Sequence, residues 1–238
     1  MWLLEAPTPR ATLLMCHGYY ADRSQVLPLA QRLQAKGYEV VLFALRGHGR
    51  RPGPCTFGLK EREDAQLILD WVMARHQGKW SIGVIGFSMG AVIACQLALR
   101  HPAIRAVILD SAYARLFPVL QRALWSRYHL PGFPFAWIAW GGLRLALRTP
   151  LGVLDPAAAA PHLYQPLLMI QGGEDQRVPL PLGQEIYARW AGPKERWVEP
   201  LGVHVGLFAR DPQPYVDRVA AFLERSLGGG PCRLLAGS

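Results

Sequence analysis

The 238-residue sequence predicts an α/β fold: a doubly wound, mostly parallel sheet of about six to seven strands, with helices on both faces and a helical lid insertion. Three observations predict it. Short, nearly all-apolar runs alternate with stretches whose apolar residues recur every three or four positions, the pattern of buried parallel strands joined by crossover helices. The third such run ends in GFSMG (86–90), which turns a strand into a helix within three residues. One long aromatic stretch then interrupts the alternation.

In chain order, strands are expected at ATLLMC (11–16), YEVVLFA (38–44), SIGVIGF (81–87), RAVILD (105–110), PLLMIQG (166–172) and ERWVEP (195–200). The central ones are apolar at almost every position, as strands covered on both faces must be. Helices are expected at 25–36, 59–75, 91–100, 182–190 and 215–227, each with an apolar stripe to lay on the sheet. Residues 112–162 place roughly fifty residues where a single crossover helix would suffice. That segment carries Phe117, Trp125, Tyr128, Phe133, Phe135, Trp137 and Trp140, with prolines at 118, 131 and 134. It reads either as a lid, whose Trp125, Phe133, Trp137 and Trp140 would wall an apolar substrate pocket, or as ordinary helical packing punctuated by prolines. The chain is thus read as one domain over 1–227, with the lid or cap at about 112–162 and a flexible tail at 228–238.

Composition narrows the classes. A hydrophobic fraction of 51% against 18% charged residues is that of a packed protein rather than a disordered one. The net charge of +9 raises a nucleic-acid or anionic-surface reading, but the basic residues are scattered and form no unbroken run that could track phosphates, so no nucleic-acid partner is expected. Cys16, Cys55, Cys95 and Cys232 show no C-x-x-C spacing, and neither a metal nor an organic cofactor is expected. Cys16 and Cys95 fall in core elements and read as structural thiols of a reducing compartment. The start, MWLLEAPTPR, lacks the basic and long apolar regions of a signal peptide, which points to a cytoplasmic protein. The window 133–147 is too short to span a bilayer, though apolar enough for transient contact with a lipid surface.

The chemistry begins at Ser88. A strand that becomes a helix this sharply holds its central residue in a strained conformation, and Gly86 and Gly90 relieve the crowding. If Ser88 is a nucleophile, it needs a base, and the base needs an acid to hold its tautomer. Both should come from loops at the carboxyl ends of later strands, which share one edge of a parallel sheet. GGEDQRVP after the fifth run supplies Asp175, and LGVHVGLF after the sixth supplies His204. Asp110 is an alternative acid, because its strand ends at the same edge, and Glu174 adjoins Asp175. An oxyanion would be met by the backbone N–H of Met89 at the start of the following helix and by that of Tyr19, presented by the His-Gly turn of CHGYY (16–20) after the first run.

MCHGYY (15–20), LRGHGR (45–50), GFSMG (86–90), ILDSAY (108–113), GGEDQRVP (172–179) and GVH (202–204) occur in the order and approximate spacing of the α/β-hydrolase family, and the chain resembles its esterase, lipase, thioesterase and serine-peptidase-like branch. The resemblance covers nearly the whole chain outside the lid and tail. It implies Ser88 as nucleophile, Asp175 as acid, His204 as base, and Tyr19 with Met89 as oxyanion donors. One departure stands out. His17-Gly18 lies so near the amino end that the two strands usually preceding it have little room, so six core strands plus a short edge at 2–5 are expected.

The other histidines read as structural. His17 orients the oxyanion loop, His48 makes local hydrogen bonds in its glycine-rich loop, and His101 ends a helix; His76, His129 and His162 have no partner motif. Arg46 and Arg51 are expected to make surface hydrogen bonds, and Asp155 to mark the turn leaving the lid. The expected activity is hydrolysis of small to medium apolar esters, a carboxylesterase acting through an acyl-enzyme. A lipase or thioesterase with the same triad, or a non-catalytic binding protein on the same fold, is the alternative.

Overall fold

The computed structural model describes residues 1–77 and 80–228. Strands β1 (Trp2–Leu4), β2 (Thr12–Cys16), β3 (Glu39–Leu42), β4 (Ile82–Phe87), β5 (Ile104–Asp110), β6 (Leu167–Gly172) and β7 (Lys194–Glu199) form one sheet in the order β1-β3-β2-β4-β5-β6-β7. Every neighbouring pair is parallel except β1, which runs antiparallel to β3 with Leu3 opposite Val41. The six expected strands are all present, each within a few residues of its expected bounds, and β1 is the short edge.

Alternation along the strands builds two cores. Leu13 and Met15 of β2 face the same side as Val40 and Leu42 of β3, while Leu14 and Cys16 face the other side with Val41. On the first side lie α1 (Arg23–Ala35), through Val26, Leu29 and Leu33, and the carboxyl-terminal helix Pro212–Leu227, through Val219 and Leu223. The second side is covered by α2 (Glu61–His76), through Leu69 and Val72, and α3 (Met89–Arg100), through Ile93 and Leu97. Because both faces are covered, a strand such as β2 is buried at all five positions. Burial pushes the Cys16 and Cys95 thiols up to about 12, so both behave as small apolar groups.

Residues 112–162 leave the sheet as helices. They comprise α4 (Leu116–Tyr128), an irregular turn at Gly132–Ala136, α5 (Trp137–Leu147), a short turn at Leu151–Leu154, α6 (Pro156–Ala159) and a last turn at Ala160–His162. The carboxylate of Asp155 accepts from the Leu116 amide at 3.1 Å, tying the far end of the excursion to its beginning. Beneath it, Val92, Tyr113, Leu116, Leu151, Leu154 and Val178 form a third, smaller apolar cluster. The chain then continues through α7 (Leu180–Arg189), α8 (Leu207–Arg210) and the final helix, α9. The short α6 and α8 have no counterpart in the periodicity, since four residues are too few to show a helical repeat. Of the expected flexible tail at 228–238, all but Gly228 lies outside the described residues.

Candidate active site

Ser88 sits where β4 becomes α3, with φ 51° and ψ −113°, in the left-handed half of backbone space that a non-glycine residue occupies at a cost. The turn is held by two backbone bonds, Ser88 N–H to the Asp110 carbonyl at 2.9 Å and Ala91 N–H to the Ser88 carbonyl at 2.9 Å. Gly90 is required by space rather than torsion. A Cβ there would lie 2.0 Å from the Cys16 carbonyl oxygen. The Gly18 loop comes near as well but less tightly, for a Cβ at Gly18 would lie 3.3 Å from the Phe87 carbonyl oxygen and 3.4 Å from the Ser88 Cβ.

Asp175 and His204 arrive on loops laced together by their backbones. Gly173 N–H donates to the Glu199 carbonyl at 2.8 Å, and Glu174 N–H to that of Gly202 at 2.9 Å. Both Asp175 oxygens are used: Oδ1 accepts from the amides of Arg177 and Val178 at 2.9 and 2.8 Å, and Oδ2 lies 2.7 Å from His204 Nδ1. An ionised carboxylate only accepts, so His204 carries its proton on Nδ1. Its Nε2 is then a bare acceptor, 3.0 Å from the Ser88 hydroxyl. The sequence's three candidates therefore meet in a single hydrogen-bonded line, Ser88 to His204 to Asp175. Glu174, beside Asp175, is exposed.

The family model described as serine aminopeptidase, S33 matches residues 7–131, just over half of the chain. Uncharacterized protein Rv2307c of Mycobacterium tuberculosis (strain ATCC 25618 / H37Rv) is 30% identical over 213 residues, 89% of this chain and 69% of that one. The chain belongs to the S33 serine aminopeptidase family of α/β hydrolases. Two further likenesses accord with that. Uncharacterized protein YqkD of Bacillus subtilis (strain 168) is 27% identical over 222 residues, covering 90% of this chain and 71% of its own. The Pyrococcus furiosus esterase Pf2001 superposes with a TM-score of 0.75 at 27% identity, over 92% of this chain and 83% of that one. The family match contains Ser88 and the Gly18–Tyr19 loop but ends before Asp175 and His204, whose meeting rests on the geometry above.

In this hydrolase, Asp110 is not at the base. It is 1% exposed and accepts from Tyr215 Oη at 2.7 Å and from Ser111 Oγ at 2.8 Å. Burial pushes its carboxyl up to about 6, with those two hydrogen bonds pulling the other way. Ser111 Oγ in turn accepts from the Val205 amide at 2.9 Å, so Asp110, Ser111 and Tyr215 support the His204 loop from below. Sequence reasoning singled out Asp110 but missed Ser111 and Tyr215; the ILDSAY stretch held the first signal, while nothing local marks Tyr215.

His17 is fully buried and uses both ring nitrogens. Leu45 N–H donates to Nε2 at 3.1 Å, which leaves Nδ1–H to donate to the Gly18 carbonyl at 2.8 Å. It thereby clamps the loop that carries Tyr19. Burial holds its pKa below the ordinary histidine value. His48 Nδ1 lies 2.9 Å from the Arg46 carbonyl, as a local hydrogen bond should, while its Nε2 is sealed in with no partner. Arg46 departs from the expected surface role: it forks onto the nearly buried carboxylate of Asp64 at 2.8 and 2.7 Å, because α2 brings that carboxylate under the loop. His101 ends α3 and is partnered by Gln66, whereas His76 pairs with buried Glu39 at 2.6 Å.

Two hollows flank the line of three. One, of about 530 Å³, lies on the His204 side and is lined in part by Arg122, Glu174, Arg177 and Val203; the other, of about 690 Å³, lies by Tyr19, Tyr20, His48 and Cys55. Of the aromatics expected in the substrate wall, Trp140 packs on the cluster that contains Val92, one turn into α3, and its ring meets Phe117 at 5.2 Å. Trp125, Phe133 and Trp137 are 58%, 78% and 58% exposed. Among the described residues, no cluster of His, Cys, Asp and Glu could hold a metal ion, and no helix is long and apolar enough to cross a membrane.

Proposed function

We propose that the protein is a serine hydrolase of carboxylic esters that works through an acyl-enzyme. The observation that carries this reading is His204 standing between Ser88 Oγ at 3.0 Å and Asp175 Oδ2 at 2.7 Å. Ser88 attacks the ester carbonyl as Nε2 takes its proton. Asp175 fixes the ring and stabilises the imidazolium that forms. The developing oxyanion is met by the amides of Tyr19 and of Met89, the latter at the first helical position, where an N–H has no partner within its helix. His204 then protonates the departing alcohol, and a water activated by the same nitrogen releases the acid.

Esters are favoured over peptides by charge. Cleaving from a free amino terminus calls for a carboxylate to hold the substrate's ammonium, yet of the two acids lining the hollow beside His204, Asp175 is already bonded at both oxygens, which leaves Glu174 against Arg122 and Arg177. Small to medium apolar acyl groups fit the apolar surroundings of Val92, Leu116 and Trp140. The test is hydrolysis of p-nitrophenyl esters of increasing acyl length, with amino-acid p-nitroanilides in parallel. Turnover of the esters is expected, falling at least about 1,000-fold in Ser88→Ala, together with loss of fluorophosphonate labelling. Faster turnover of the anilides, or ester turnover and labelling unchanged in Ser88→Ala, rejects the proposal.

A further inference from the structure

The outward face of the α4–α5 excursion is not used by the hydrolase chemistry. Helix α5 is apolar on two sides. Trp140, Leu143 and Leu147 turn inward onto the cluster around Val92 and Leu116, whereas Ile138 and Leu145, on one stripe of the helix, stand 67% and 80% exposed. Trp125 and Tyr128 of α4 and Phe133 of the connecting turn are exposed as well. Exposed aromatic and aliphatic groups on α4, on α5 and on the turn that joins them mark an interaction surface.

Charge says what that surface meets. Between Asp110 and Asp155 the sequence has no acidic residue and five arginines, 115, 122, 127, 144 and 148. Arg115 pairs with Glu185, and Arg122 donates to the Gln176 carbonyl. Arg127, Arg144 and Arg148 have no ion-pair partner among the described residues. Arg144 and Arg148 border a shallow hollow of about 450 Å³ whose other walls are Gly141, Leu145, Thr149 and Pro150. Its Gly141 wall is open, since a Cβ there would meet nothing within 4 Å.

We propose that this face seats on an anionic membrane surface, with Ile138, Leu145 and the exposed aromatics in the interfacial layer and Arg144 and Arg148 gripping a lipid phosphate in the hollow. A helix lying in the interface shows this combination: apolar and aromatic side chains outward, with arginines beside them to reach headgroups. A second copy of the chain fits less well, because a two-fold contact would set this acid-free, arginine-bearing surface against itself. The proposal stands apart from the catalytic reading, since binding is scored without substrate.

The test is co-sedimentation with vesicles of phosphatidylcholine alone and of phosphatidylcholine with phosphatidylglycerol, at low and high salt, alongside sedimentation velocity of the free protein and binding to polyglutamate. Wild type is expected to bind the phosphatidylglycerol vesicles and to lose that binding at high salt. R144Q/R148Q is expected to bind about 20-fold more weakly. I138S/L145S is expected to bind weakly to either vesicle, and both double variants should keep the wild-type melting temperature because the replaced side chains are exposed. Failure of wild type to bind phosphatidylglycerol vesicles at low salt overturns the proposal, as does wild-type binding by both variants. A dimer dissolved by I138S/L145S without vesicle binding assigns the face to a second copy instead. Retention on polyglutamate alone assigns it to an acidic protein.

Discussion

Asp175 and Asp110 are almost equally buried, at 3% and 1% exposure, and their partners give them different tasks. Asp175 offers one oxygen to two amides and the other to His204, whereas Asp110 faces two hydroxyls and no cation. The consequence for Asp110 is thermodynamic. Burial lifts its carboxyl from 3.8 to about 6, so the folded chain binds a proton that the unfolded chain has already released over that interval. Stability contributed by Asp110 is therefore fully present below pH 3.8 and declines as pH rises through 6. Asp110→Asn cannot titrate, so wild type should lose on the order of 2–3 kcal/mol relative to it between pH 4 and pH 7, read from paired urea melts. A constant difference between the two proteins would contradict the assignment. Ser88, Asp175 and His204 were legible in the sequence because each sits in a short motif at a strand's carboxyl end. Tyr215 was not, because its partner Asp110 lies 105 residues away and no local pattern marks the pairing.

Among the elements, the β4–α3 turn shows how two opposing effects are weighed. Replacing a helical glycine by alanine ordinarily stabilises by about 1 kcal/mol. At Gly90 the added carbon would stand 2.0 Å from the Cys16 carbonyl oxygen, a backbone atom that cannot rotate away. Steric displacement of α3 from β2 wins, and Gly90→Ala should cost about 3 kcal/mol or more in a denaturant melt. Because Ser88 begins that helix, any surviving folded fraction should also hydrolyse esters more slowly. An unchanged midpoint would show that β2 and α3 separate easily. The sequence announced this turn through its two glycines, and it announced the central strands through their unbroken apolar runs. It did not resolve the course of 112–162, where aromatic and proline-rich residues signal helices and turns without specifying which face points outward. Packing decides that: Trp140 goes in and Ile138 stays out, though both are large and apolar.

Over the whole molecule, charge acts at the surface more than in the fold. Arg10–Glu224, Lys36–Asp217 and Arg225–Glu195 pin the last helix to its neighbours, but their side chains are 43% to 59% exposed, where solvent leaves an ion pair little net effect. Salt weakens those pairs and also screens the self-repulsion of a chain carrying +9, so the two effects offset. Raising sodium chloride from about 0.05 to 0.5 M should move the melting temperature by less than about 3 °C, in contrast to the collapse expected for vesicle binding. A shift well beyond that would mean that charge contributes to the core. The placement of β7 carries a different consequence. Among the described strands it is an edge strand paired with β6 alone, half-buried along its whole length, and His204 follows five residues after its end. Fraying at that margin, a sub-global opening that leaves the inner strands intact, would carry the imidazole away from Ser88 while most of the secondary structure survives. Heat inactivation should thus begin below the temperature of cooperative unfolding, and the strand that closes the sheet governs how long the molecule stays competent.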